Sequence, residues 1–168
     1  RNPLFLRVFC EAFEGQELPR GPLGLDLVMR ARLDRLCSQI QNEIDCDPED
    51  TRAALRAISR EIASNGGRSI PRATARTKTA EHFPNQVASQ SLYQRLLSNG
   101  MLVESVRFSE PNVGEPEITV RFPFERFSDY FIANEILAGV ETDDEFHSMF
   151  GEGQPLAHYR NSWDYYEN

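Results

Sequence analysis

Lysine is almost missing from this chain: of 18 basic residues, only Lys78 is not arginine. That bias reads as genome composition rather than chemistry. Cysteine is scarce too, with Cys10, Cys37 and Cys46 and no CxxC spacing. An odd, scattered set argues against a disulfide framework and a zinc site, and predicts reduced, partly buried thiols in a cytosolic protein. No apolar run approaches the roughly 20 residues of a membrane span, and no secretory signal pattern is visible. The sequence holds no GxxxxGK[ST] phosphate loop, and no strand ending in paired acids for magnesium. It has no GxSxG elbow. His82, His147 and His158 stand at no metal-ligand spacing. Carboxylates are plentiful, and no pattern singles out a catalytic pair.

What is present suits a globular chain. The 168 residues are 40% hydrophobic and 26% charged, near the usual composition and enough for one or two small cored domains. The first residue is Arg1, not Met, as expected of a fragment or a processed chain. The net charge of −8 is uneven: residues 1–64 carry −2, 65–100 carry +4, 101–140 carry −4 and 141–168 carry −6. An acidic whole does not suit a general nucleic-acid binder, although the basic middle keeps that class open.

The apolar spacing predicts a mainly helical fold with one small β-hairpin. Asn2 suits an N-cap and Pro3 a first helical position for a helix over 3–13. Its apolar residues run nearly all round, so this helix is expected to be buried. Gly15, Pro19, Gly21, Pro22 and Gly24 mark a loop. Leu25, Met29, Leu33, Leu36, Ile40 and Ile44 then mark an amphipathic helix over 25–44. Asp47 and Pro48 restart a helix with Leu55, Ile58 and Ile62 on its buried stripe. Asn65-Gly66-Gly67 ends it.

The stretch from Arg68 to Lys78 is polar and basic, with a helix expected over 74–82. Asn85 is the expected cap of a helix over 86–98, with Ala88, Leu92, Leu96 and Leu97 inward, closed by Asn99-Gly100. Strands are expected over 101–108 and 118–122, around a turn at Pro111-Asn112-Val113-Gly114. A helix over 125–137 follows, with the stripe Phe127, Tyr130 or Phe131, Asn134 and Leu137. Thr142-Asp143-Asp144-Glu145 matches a capping box ahead of Phe146, Met149 and Phe150. Helix, helix, Asn-Gly and hairpin is the order of a winged helix-turn-helix. The division expected is a helical domain over 1–66, a winged-helix domain over 67–140, and an acidic helical linker or start of a further domain over 141–168.

Two phrases point further: Asn2-Pro3-Leu4 near the start, and Glu125-Arg126-Phe127-Ser128-Asp129-Tyr130-Phe131-Ile132-Ala133 near the end. The first resembles the opening of the lid domain in STAND-type (NACHT-like) AAA+ ATPases. The second resembles the helix late in their winged-helix domain, in the form found in bacterial members, antiviral ones included. The resemblance covers roughly residues 1–140. It implies a helical lid bundle followed by a winged helix, acting as the regulatory half of a cytoplasmic nucleotide switch. It implies that Asn2 and Pro3 lie at the adenine of ADP or ATP, since the lid proline packs there in the family. In animal members the winged-helix motif often carries a histidine that touches the nucleotide's phosphates. The matching position here is Phe124, which cannot donate to phosphate. Glu125, Arg126 and Asp129 are the charged residues left at that inter-domain switch, and a structural ion pair between Arg126 and Asp129 accounts for them as well.

The resemblance also implies an upstream nucleotide-binding domain that supplies the phosphate loop and the magnesium site. A downstream sensor domain, an effector domain at one end, and homo-oligomerisation on activation complete the picture. The chain by itself is then not an enzyme. The alternative is a winged-helix transcription regulator with a helical domain at its start. It would lay Gln86, Ser89, Gln90, Gln94 and Arg95 in the DNA groove, with Arg68, Arg72, Arg76 and Lys78 on phosphates. Acidic Glu104, Glu110, Glu115 and Glu117 on the hairpin oppose it. They favour a basic stretch that packs on acidic surfaces within the parent protein or lies in a solvated loop. A plain helical scaffold that binds protein partners is a third class.

Overall fold

A computed structural model describes residues 3–15, 17–18, 24–65, 69–84, 87–107, 116–124, 129–131, 133–134, 140–149 and 151. The protein is mainly helical, with a small three-stranded antiparallel sheet. Helices α1 (Pro3–Phe13), α2 (Leu25–Ile44) and α3 (Pro48–Ser64) come first. Then follow β1 (Ile70–Pro71), α4 (Arg72–His82), a 3₁₀ turn (Ala88–Gln90) and α5 (Leu92–Ser98). Strands β2 (Val103–Arg107) and β3 (Glu117–Arg121) form the hairpin, and α6 (Asp143–Ser148) is the last element described. Among the described residues no helix is long and apolar enough to cross a membrane.

The first three helices keep the limits their sequence predicts. Asp47 Oδ1 accepts from Glu49 N at 2.7 Å, and Pro48 takes the first position of α3. Asp45 ends α2 in the left-handed region (φ 54), which a short polar side chain tolerates. Ala54, Leu55, Ile58 and Ile62 are fully buried along α3, and Met29, Leu36 and Ile40 are buried along α2. α1 departs from expectation. Val8, Ala12 and Phe13 are buried, but Leu6 is 61% exposed and Cys10 is exposed. Only the stripe of α1 that packs on α2 is covered among the described residues, so an apolar circumference did not produce an all-round burial.

The middle of the chain needed more correction. β1 was not foreseen, because two residues are too short for an alternation signal. It pairs with β3 through Ile70↔Val120 and Pro71↔Thr119, on the side of β3 opposite β2. α4 begins at Arg72 rather than 74, directly after Pro71. It buries Ala75 and Thr79 one turn apart, and the Thr79 hydroxyl donates to Ala75 O at 3.1 Å. The single helix expected over 86–98 is broken at Ser91, which is extended (φ −67, ψ 146) and caps α5 by accepting from Gln94 N. A serine that satisfies a free helix N–H competes with helix continuation through itself. Asn85 and Gln86 lie outside the described residues.

After α5, Gly100 takes φ 67, a conformation open to glycine at no steric cost. Its N–H bonds Leu97 O at 3.0 Å and turns the chain into β2. β2 and β3 pair from Val103↔Arg121 to Arg107↔Glu117. The turn expected at 111–114 lies outside the described residues, as do Phe127 and Leu137 of the stripe expected after it. Of that stripe, Phe131 is buried and stacks on Phe122 at 5.1 Å. Asn134 is exposed instead, and its side chain donates to Tyr130 O. The Thr142 capping box forms as the sequence predicts. None of the described residues of α6 is buried; Phe146 and Met149 are half-buried, and Phe150 lies outside the described residues.

One apolar cluster runs through both halves, from Val8 and Val28 through Ile58 and Ile62 to Leu96, Val120 and Phe131. α4 packs along α3, while α5 meets α2 over a smaller area. Among the described residues an opening remains between α1, α2 and the turn after α5.

Candidate functional site

That opening is a cleft of about 350 Å³. One wall comes from α1 and α2 and carries Arg7, Glu11, Glu14, Arg32, Arg35 and Gln39. The other comes from the turn at Ser98, Asn99 and Gly100, with Phe124 beside it. The charged wall is held by ion pairs within α1 and from α2 to Glu11 and Glu14. Arg7 Nε donates to Glu11 Oε1 at 2.7 Å, and Arg32 Nη1 donates to the other oxygen, Oε2. Arg35 Nη2 reaches Glu14 Oε2 at 2.6 Å, and its Nη1 reaches the Glu14 carbonyl at 2.9 Å. Burial alone would raise the Glu11 carboxyl, but the Arg7 hydrogen bond and the charge of Arg32 outweigh it and hold it below its ordinary value of 4.5.

Polar contacts also join α5 to α2 and α4 to α3. Arg95 Nη1 of α5 lies 3.3 Å from Glu43 Oε2 of α2. Lys78 of α4 lies 3.4 Å from Glu61 of α3 and 3.5 Å from Glu81. Burial first, then the charge of Asp26 on α2, push the ionisation of Tyr130 upward. On the far side of α5, Tyr93 donates to Glu104 Oε1 at 2.7 Å, and the Arg76 guanidinium lies 5.3 Å above the Tyr93 ring. Burial and the Glu104 hydrogen bond raise the Tyr93 phenol far above its usual range.

The residues singled out in sequence divide as follows. Pro3 opens α1, but its side chain and all of Asn2 lie outside the described part, as do Glu125, Arg126 and Arg68. Phe124 is half-buried at the cleft, and Asp129 is exposed. Gln90 and Arg76 are exposed, while Arg72, Gln94 and Lys78 are half-buried. The structure therefore brings Phe124 together with α1, and ties Lys78 to acids of its own chain.

Sequence reading missed Arg7, Glu11, Arg32 and Arg35. The spacing of Arg7 and Glu11, four apart on one helix, was a signal for the first pair. Nothing local could show that α2 would supply Arg32 to the same carboxylate. His82 is half-buried and His147 exposed, while His158 lies outside the described residues. Among the described residues no group of His, Cys, Asp and Glu could hold a metal. Compared with protein-family models, with curated proteins and with solved structures, the chain gives no match.

Proposed function

We propose that this chain is the lid and winged-helix region of a STAND-type (NACHT-like) signalling ATPase, a nucleotide-dependent conformational switch of the kind used in antiviral defence. With ADP bound to the upstream domain, the lid and winged helix close over it. Exchange for ATP on sensing a trigger swings the winged helix away and exposes a surface for homo-oligomerisation, a two-state element biased by nucleotide and trigger.

The observation that supports this reading is that Arg7 and Glu11 of α1, the helix that Pro3 opens, line one cleft with Phe124. The sequence resemblance puts the nucleotide-facing part of the lid at Asn2 and Pro3, at the start of that helix, and that of the winged helix at Phe124. The element order adds support. β1 falls between α3 and α4 and pairs with β3, so α3, β1, α4, α5, β2 and β3 follow the sequence of elements of a winged helix. On this reading α3 belongs to the winged-helix unit, and the boundary lies before Pro48 rather than at residue 67.

The same order would serve a DNA-binding regulator. Two contacts speak against it: Lys78 is engaged by Glu61 and Glu81, and the Arg76 guanidinium lies over the Tyr93 ring. The basic stretch is used inside the chain at those points.

The test is the nucleotide content of the intact parent protein, purified, denatured and resolved by ion exchange. Stoichiometric ADP or ATP is expected, with reduced retention in a Pro3→Ala parent. A parent that carries no nucleotide and takes up none would overturn the reading. Tight DNA binding with a steep salt dependence would then favour the regulator.

A further inference from the structure

We infer that the cleft between α1, α2 and the α5–β2 turn is a binding site for a small molecule with an oxyanion head. The chain carries a net charge of −8. The cleft runs against that excess, since Arg7, Arg32 and Arg35 line it beside only two carboxylates, Glu11 and Glu14. Its second wall, from Ser98 to Gly100 and Phe124, adds no charge of either sign.

The two carboxylates are already shared out. Glu11 gives one oxygen to Arg7 and the other to Arg32. Glu14 meets Arg35 through one carboxylate oxygen and its main-chain carbonyl. Each guanidinium carries five N–H donors, so three of them exceed what two carboxylates can accept. Arg32 is 14% exposed and fixed, whereas Arg7 is 73% exposed and held at Nε. An entering oxyanion can therefore take the outer donors of Arg7 and Arg35 without stripping Arg32 from Glu11. Guanidinium forks match the planar oxygen pairs of carboxylates and phosphates.

The cleft, at about 350 Å³, falls within the range of small-molecule sites and is larger than a bare oxyanion needs. The rest of the ligand would meet the Phe124 ring and the amides of Gln39 and Asn99. Because the walls come from different halves of the chain, an occupant would fasten one half to the other. The site belongs to this chain's own residues and needs no upstream nucleotide-binding domain. The switch reading draws on the same cleft, but nucleotide carried by the parent and phosphate bound by this chain are read separately, so either can fail alone.

The test is isothermal titration of the 168-residue chain with inorganic phosphate and with phenyl phosphate, at constant ionic strength in chloride. Saturable one-site binding is expected, tighter for phenyl phosphate. Arg35→Gln should weaken it roughly tenfold or more, the usual scale for a charge-assisted contact. Arg7→Gln, a change at an exposed side chain that leaves the fold intact, should weaken it in the same direction. Arg56→Gln, on a surface pair with Glu49 away from the cleft, should leave it unchanged. Phe124→Ala should remove the advantage of phenyl phosphate. Absence of saturable binding for both probes, or binding that Arg7→Gln and Arg35→Gln leave unchanged, would overturn the proposal.

Discussion

Glu43, in the last turn of α2, and Arg95 of α5 form an ion pair at 3.3 Å across the seam between the two halves, each side chain 30% exposed. The Arg95 Nε is enclosed and meets no acceptor among the described residues. The pair therefore carries a desolvation cost that its single contact only partly offsets. Glu43→Ala should lower stability by about 1 kcal/mol or less, the scale of half-exposed pairs. Urea unfolding of Glu43→Ala, Arg95→Ala and the double variant would measure it. A coupling well above that scale would make this pair the main fastening of the seam.

Ser91 sets the start of α5. Replacing it with alanine removes the acceptor for Gln94 N and should cost about 1 kcal/mol, whereas Ser91→Gly should cost only a few tenths. Equal losses in the two variants, read as urea midpoints, would show that the cap contributes little.

Glu11 links pH to the α1–α2 contact. Its carboxyl lies below its ordinary 4.5 in the folded protein. A lowered folded value contributes stability that is fully present above the unfolded value and lost as pH falls through the folded one. Wild-type protein should therefore exceed Glu11→Gln in stability at pH 7, with the difference shrinking below about pH 4.5. Denaturant midpoints at pH 7 and pH 3 test the sign. A gap that widens on acidification would place the interaction elsewhere.

The thiols should separate by reactivity. Cys10 is exposed, while Cys37 and Cys46 are fully buried. Burial pushes the Cys37 thiol up to about 11 and raises Cys46 as well. At pH 8 the native protein should show a single fast thiol towards a disulfide reagent, and all three cysteines only after unfolding. Cys10→Ser should abolish the fast phase. A second fast thiol in the native protein would mean that the core around Cys46 and Thr51 opens readily.

Residues whose partners lie within a turn or two were legible in the one-dimensional text. Asp47 with Pro48, Thr142 with Glu145, and the stripe of Leu55, Ile58 and Ile62 all act through local geometry, and the structure places them as their spacing predicts. The sequence by itself thus determined that the chain is mainly helical, that its cysteines stay unpaired, and that a hairpin follows α5. Whatever depends on contacts between distant segments had to await tertiary structure. β1 exists because β3 is there to pair with Ile70. α1 exposes Leu6 because its neighbour α2 covers one stripe only. Arg32 reaches Glu11, 21 positions earlier, and Phe124 comes to the same cleft from the far side of the hairpin. Helix periodicity states which face of an element is apolar, but not which other element will meet it or where two faces will fail to close. The cleft is such a failure, and only the packing of the two halves could decide its place and its charge.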